Sequence, residues 1–285
     1  MSINIIDNIA QKVIEEATKR NILIRICGSY GIYRVCKGLQ EIEQEKFVQP
    51  PINRLFILGW KLPRDIDFVA LNQDSDIISE LFQNLGFKQN RSLSSPIYRL
   101  RNIFNYNKIN IDLSFNTLEY NHRIDLQLKN KIINQNETDI NRIRLQIGER
   151  TIPKTELLLQ KLQIVEPGNK DLIDAWWLLK ENNVKTLNDE NIDDGINTAL
   201  INYYSEKDWG FYFTIIQNLN RIEEIIAQAY SVSSNEDILN DVVLPKILLL
   251  KKIIEDHPKG FAWNFRSKIG TRVRWYNEVD EVYKI

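Results

Sequence analysis

Three aspartates and one Gly-Ser pair are the residues here whose types and order could do chemistry: Gly28-Ser29, then Asp65 and Asp67, then Asp112. Asp65 and Asp67 are two apart in the run Arg-Asp-Ile-Asp-Phe-Val-Ala at 64–70. Side chains of a strand alternate between faces, so both carboxylates share one face while Ile66 and Phe68 point into the core. Parallel carboxylates repel unless a cation sits between them, and Mg²⁺ prefers a few carboxylates plus phosphate oxygens. Asp112 lies at the centre of Ile-Asn-Ile-Asp-Leu-Ser-Phe at 109–115, and Asp is depleted in strand interiors. With this strand beside the first, three carboxylates could hold two metals about 3.5–4 Å apart and clamp both oxygens of an in-line displacement at phosphorus. Plainer readings exist for each piece. Asp65 and Asp67 also fit a solvated strand end, and Asn110, Asp112 and Ser114 fit the polar face of an ordinary amphipathic strand.

Gly28-Ser29 closes the apolar run at 22–27 and opens a helix. Glycine lets the backbone come close to a ligand, and the following N–H groups with the helix dipole form a phosphate cradle. The Ser29 hydroxyl could donate to a triphosphate. A lone Gly-Ser is most often a turn; its weight comes from preceding the Asp-x-Asp and the single Asp.

The elements that must position these groups follow from periodicity. Ile5, Ile6, Ile9, Val13, Ile14 and Ala17 recur with helical spacing. A strand at 22–27 and a short helix reaching Gly38 come next, followed by an irregular stretch at 39–63 containing Pro50-Pro51. Such a long loop inside a compact domain is often functional. A strand at 66–71 leads to a helix opening at Ser75-Asp76 and running through Leu85, with Gly86 at its C-cap. Residues 97–104 and 109–115 read as a hairpin. Beyond about 150 the pattern is helical: 155–165, 172–180, 189–203, 208–230 and 239–256. The expected architecture is α+β. A mixed sheet with flanking helices spans 1–150, an all-helical domain spans 151–285, and the site lies in the cleft between them.

Composition narrows the class. The 285 residues carry a net charge of −1, so nucleic acid would be held by a local patch and not by an overall basic field. Cys27 and Cys36 lack the partners of a zinc site or a disulfide framework, and this fits a reducing cytoplasm. No signal peptide and no membrane-spanning stretch is evident, so a cytoplasmic protein is expected.

The ordered set Ile26-Cys27-Gly28-Ser29, Asp65-Ile66-Asp67 and Asp112 resembles the nucleotidyltransferase superfamily that includes DNA polymerase β and the minimal nucleotidyltransferases. Within it the chain is most similar to the abortive-infection-type enzymes, many of them toxins of toxin–antitoxin pairs. Those add a helical Lys and a later Arg/Lys-Asp-x-x-Asp, matched by Lys161 and by Lys170-Asp171-Leu-Ile-Asp174. The resemblance covers roughly residues 20–180. It implies that Asp65, Asp67 and Asp112 bind Mg²⁺, as two ions, and that Asp112 helps deprotonate the attacking hydroxyl. It also implies that Gly28, Ser29, Lys161 and Lys170 hold an NTP, and that Asp171 and Asp174 support Lys161. The implied acceptor is tRNA or a protein, with an antitoxin as partner. Two departures stand out: residues 30–64 replace a spacing of about ten in the family, and Cys27 stands where the family has a second glycine.

Other readings stay open on the residues alone. Lys161 also fits a solvated lysine beside the stripe of Leu158, Leu162 and Val165, and Asp171 fits a helix cap. Lys259, Arg266, Lys268, Arg272 and Arg274 are interleaved with Phe261, Trp263, Phe265, Trp275 and Tyr276. That composition suits an RNA-contacting surface, although such aromatics more often pack a helical core. His122 and His257 are expected at the surface with no role. The alternatives to transfer onto tRNA or protein are a binding protein without turnover and an enzyme that modifies an antibiotic.

Overall fold

The computed structural model describes residues 3–43, 61–90, 101–107, 109–132, 141–231 and 242–278. Its centre is a five-stranded mixed sheet in the order β1-β2-β5-β4-β3. The strands are β1 (Ile24–Cys27), β2 (Ile66–Ala70), β3 (Lys88–Gln89), β4 (Arg101–Tyr106) and β5 (Ile109–Phe115). β1 runs antiparallel to β2, β2 parallel to β5, and β5 antiparallel to β4. Along β5, Ile109, Ile111, Leu113 and Phe115 are buried while Asn110, Asp112 and Ser114 take the other face, as the alternation requires.

Helix α1 (Ile3–Lys19) buries Ile3, Ile6, Ile9, Ala10, Val13 and Ala17 on one face and packs against β1. Helices α2 (Gly28–Val35) and α3 (Lys37–Glu43) follow β1 directly. The start of α3 is capped by Glu181, whose carboxylate accepts from the Lys37 and Gly38 N–H groups at 2.7 and 2.8 Å. Helix α4 (Ser75–Asn84) buries Ile78, Leu81 and Phe82. It ends at Gly86, whose φ of +88° is a left-handed conformation that glycine adopts without a Cβ penalty. Phe82, Phe87 and Phe104 then close ring to ring at 4.7 and 5.1 Å, and burying each such ring contributes about 2 kcal/mol. The short strands β6 (Thr117–Glu119) and β7 (Arg123–Asp125) form a separate hairpin beyond β5.

The rest is mainly helical: α5 (Arg144–Ile147), α6 (Lys154–Leu162), α7 (Asn169–Glu181), α8 (Thr198–Lys207), α9 (Trp209–Ser231), α10 (Leu244–Asp256) and α11 (Phe261–Ile269). One hydrophobic cluster runs from Ile3 of α1 to Ile254 of α10 and includes the fully buried Trp176 and Trp177. Ile26 joins the two parts of the chain: its N–H donates to Arg150 O at 2.9 Å and its carbonyl accepts from Ile152 N at 3.0 Å.

The structure departs from expectation in two places. Residues 189–203 do not form one helix. Instead β8 (Val184–Lys185) pairs in parallel with β9 (Ile196–Asn197), and α8 starts only at Thr198. The Asn/Asp/Gly run at 188–195 favours turns, with Asn191 at φ +51°. Asn197 then caps α8, accepting from Ala199 N and Leu200 N at 2.9 and 3.3 Å. Apart from this two-residue pairing, the C-terminal region is helical as expected. In the stretch expected to be irregular, α3 extends to Glu43. Pro50-Pro51, the start of the first hairpin strand at 97–100 and the expected helix start at 239–241 lie outside the described residues. Among the described residues, no helix is long and apolar enough to cross a membrane.

Candidate active site

Strand register brings the acids together. Asp67 of β2 stands directly opposite Asp112 of β5, and on its other side opposite Cys27 of β1. The next residue after Cys27 is Gly28, with φ +65°. A Cβ on Gly28 would lie 1.8 Å from Asp67 Oδ2, so only glycine lets the turn close over this carboxylate. The Gly28 N–H donates to Gln160 Oε1 of α6 at 2.9 Å. Asp65 precedes β2 and is exposed. Among the described residues, no three His, Cys, Asp or Glu side chains form a ready ligand group. The arrangement is two adjoining carboxylates with a third at the rim.

The charge of this pair is under-compensated. Burial, then the neighbouring Asp112 and Asp65, push the Asp67 carboxyl up to about 7, against the pull of Lys161 and Arg101. Burial also raises Asp112, although Arg101 opposes the shift. Arg101 of β4 grips Asp112 with its fork: Nε donates to the two carboxylate oxygens at 2.6 and 2.8 Å, and Nη2 donates to Oδ2. Carboxylate oxygens are the donors that Mg²⁺ selects. Two of them held side by side in a partly dry setting fit such an ion, with Asp67 and Asp112 as its holders and Asp65 within electrostatic reach. The Cys27 thiol beside them is raised by burial, then by Asp67 and Asp112, so it stays protonated and is no nucleophile.

A second cluster sits at the start of α2. Lys161 is buried, not solvated beside the leucine stripe. Its Nζ lies 2.9 Å from Asp171 Oδ1 and 3.0 Å from Asp174 Oδ2, and donates to Ser29 Oγ at 3.2 Å. Ser29 Oγ in turn donates to Asp174 Oδ2 at 2.7 Å. Burial alone would depress the lysine, but Asp174 and Asp171 more than reverse this and hold it charged. Asp171 also accepts from the Gly168 N–H at 3.3 Å, so it caps α7 as well. Lys170 is half-buried in the first turn of α7 and, among the described residues, bonds to none of this cluster.

Several residues near the site carried no role in the sequence reading. Arg101 was countable, because back from the hairpin turn it falls opposite Ser114, one step along the polar face from Asp112. Gln160 and Gln163 gave no signal; Gln163 Oε1 accepts from the backbone of Tyr120 and His122 at 3.2 and 3.3 Å. His122 is buried, contrary to expectation. It stacks on Phe211 at 4.9 Å, meets Thr214 Oγ1 at 2.9 Å and has Asp208 at 3.4 Å. A lone His beside polar residues does not reveal partners about 90 residues away. His257 lies half-exposed beside Glu206 at 3.1 Å. In the basic-aromatic segment, Trp263 donates to Ser205 O at 2.8 Å and Trp275 packs on Phe213, whereas Phe261 is 88% and Phe265 62% exposed.

Comparison with known proteins gives little. No family model matches the sequence. No curated protein matches it. Among solved structures, the solution structure of the antibiotic-resistance factor ANT(2'')-Ia is similar over 62% of this chain and 83% of that chain, at 11% identity and a TM-score of 0.37. A likeness this distant assigns neither residues nor substrate to this chain.

Proposed function

We propose that this protein is a Mg²⁺-dependent nucleotidyltransferase that moves a nucleoside monophosphate from an NTP to an acceptor hydroxyl. The observation that carries the reading is the register Asp67 opposite Asp112 on parallel strands, with the left-handed Gly28 turn closed over Asp67. In this reading the acceptor oxygen bonds to the α-phosphorus, the bond from that phosphorus to the bridging oxygen breaks, and pyrophosphate leaves. Asp112 takes the hydroxyl proton, and Asp67 with Asp112 orients the reacting groups. Asp65 adds a third carboxylate at the rim. Bound Mg²⁺ supplies the neutralising charge that lets phosphate oxygens approach these acids.

The N-terminus of α2 offers the N–H groups after Gly28 to the triphosphate. Lys161 keeps Ser29 and that turn in place, and Asp171 and Asp174 hold Lys161. The Ser29 proton is engaged by Asp174, so the serine's part is to fix the turn. Lys170, in the first turn of α7 beside Asp171, is assigned as a further cation for phosphate. Catalysis is positioning and charge neutralisation. The acceptor is tRNA or a protein; for tRNA, the exposed Phe261 and Phe265 among Lys268, Arg272 and Arg274 make the contact surface. An antitoxin partner and a cytoplasmic setting belong to the same proposal, as does the division at residue 150.

The test is incorporation of each α-labelled NTP with Mg²⁺ into total tRNA, into the protein itself and into aminoglycosides, with Asp67→Asn and Asp112→Asn as controls. Label in tRNA or protein from the wild type only is the expected result. Equal labelling by a folded Asp112→Asn variant would sink the assignment. A specific observation favours one other reading, a nucleotide-holding protein without turnover: Asp112 is already neutralised by Arg101. Mg²⁺-dependent NTP binding with no product in any arm would select it.

A further inference from the structure

We propose that Arg101 is a phosphate-binding residue that Asp112 holds in reserve. The inference rests on the nucleotidyl-transfer reading above. The guanidinium engages Asp112 through both Nε and Nη2, a two-pronged grip that suits carboxylate and phosphate equally well. The sheet order sets the stage: Gly28 leaves β1 on one side of Asp67, and Arg101 enters from β4 on the far side of Asp112. Asp112 therefore stands between the cation position at Asp67 in that reading and the guanidinium. The fork and a divalent ion compete for its oxygen lone pairs. A fixed +1 charge beside an arriving +2 charge is repelled in proportion to their closeness.

On metal entry the fork leaves Asp112. The Arg101 side chain is 30% exposed, so it is not locked within the sheet. The anion that arrives there is a phosphate, either of the NTP or of the acceptor next to its attacking hydroxyl. Arg101 so exchanges a carboxylate for a phosphate without changing its charge or its bonding pattern. A purely structural role would make Arg101 a fixed neutraliser of Asp112, useful to folding and indifferent to ligands.

Titration calorimetry on the full chain separates these roles. Wild type, Arg101→Gln and Arg101→Lys are each titrated with MgCl₂ alone, with ATP in excess Mg²⁺, and with a short oligoribonucleotide in excess Mg²⁺; thermal melting confirms folding. The proposal expects Arg101→Gln to bind Mg²⁺ several-fold more tightly and one phosphate ligand about tenfold more weakly, with Arg101→Lys between. Weakened ATP identifies the triphosphate as the partner, and weakened oligonucleotide with ATP unchanged identifies the acceptor. Mg²⁺ affinity unchanged or reduced in the folded variant overturns the proposal, as does tighter Mg²⁺ with both phosphate ligands unaffected. A wild type that binds neither Mg²⁺ nor ATP overturns the nucleotidyl-transfer reading and this inference with it. Normal wild-type binding with an indistinguishable Arg101→Gln overturns this inference alone.

Discussion

Two groups of charges lie within this fold, and they are held in different ways. Around Arg144 the charges are knitted into one hydrogen-bonded set, although burial still raises the Glu156 carboxyl against the pull of Arg144. Its guanidinium, fully buried, donates to Glu156 at 2.6 Å, to Asp193 at 2.7 Å and to Asn130 at 2.7 Å. Burial alone would lower the Arg144 pKa, and Glu156 and Asp193 more than restore it. Around Asp67 the acids outnumber the cations that reach them, and one carboxyl is driven up to about 7. The first group joins α5, α6 and the 193–197 turn as a strut. The second stores repulsion that a bound cation would relieve, a pattern expected where a site is kept ready at the cost of stability.

Mutations should break the two groups in opposite directions. Glu156→Gln leaves Arg144 with Asp193 as its remaining carboxylate and should lose about 2–3 kcal/mol in chemical denaturation. Asp67→Asn removes the repulsion, and should gain on the order of 2 kcal/mol at pH 8 while lowering transfer at least about 100-fold. A destabilised Asp67→Asn would mean that Asp67 serves the fold.

The pH dependence sharpens the same contrast. In the native state Asp67 keeps its proton up to about pH 7, whereas the unfolded carboxyl releases it near its ordinary value of 3.8. Between these values the native state binds more protons, so the Asp67 contribution to stability is present at low pH and is lost as pH rises through about 7. Wild type should therefore lose stability relative to Asp67→Asn over this window in metal-free buffer, and Mg²⁺ should bind more tightly as pH rises towards it. A flat difference between the two proteins would contradict the shift. Gly28→Ala strikes the fold and the site together. The left-handed backbone alone costs about 1–2 kcal/mol, and the new methyl must displace the Asp67 carboxylate. Melting and Mg²⁺ titration together would register both parts.

The faces taken by Asp67 and Asp112 followed from local pattern, because alternation along an apolar strand decides them; the pairing of their strands is long-range and did not. The order of Gly28, Asp67 and Asp112 in the chain was equally legible. The burial of Lys161 was not: leucines at 157–159 and 162 mark an apolar helix, and nothing local states that two acids of the next helix will enclose its amine. Arg144 was invisible for the same reason, since its partners lie 12 and 49 residues away. The stretch 189–203 differs for another reason. There a turn-forming Asn/Asp run interrupts the helical spacing, and its composition favours a turn and a cap. Arg101 needed only a count across the hairpin.

The central claim is tested most directly by splitting the label. The protein is incubated with Mg²⁺, acceptor and an NTP labelled at either the α- or the γ-phosphorus, alongside folded Asp67→Asn. The account predicts α-label in the acceptor, γ-label in released pyrophosphate in equal amount, and neither with the variant. Label from the γ-phosphorus in the acceptor, or undiminished transfer by Asp67→Asn, would contradict it.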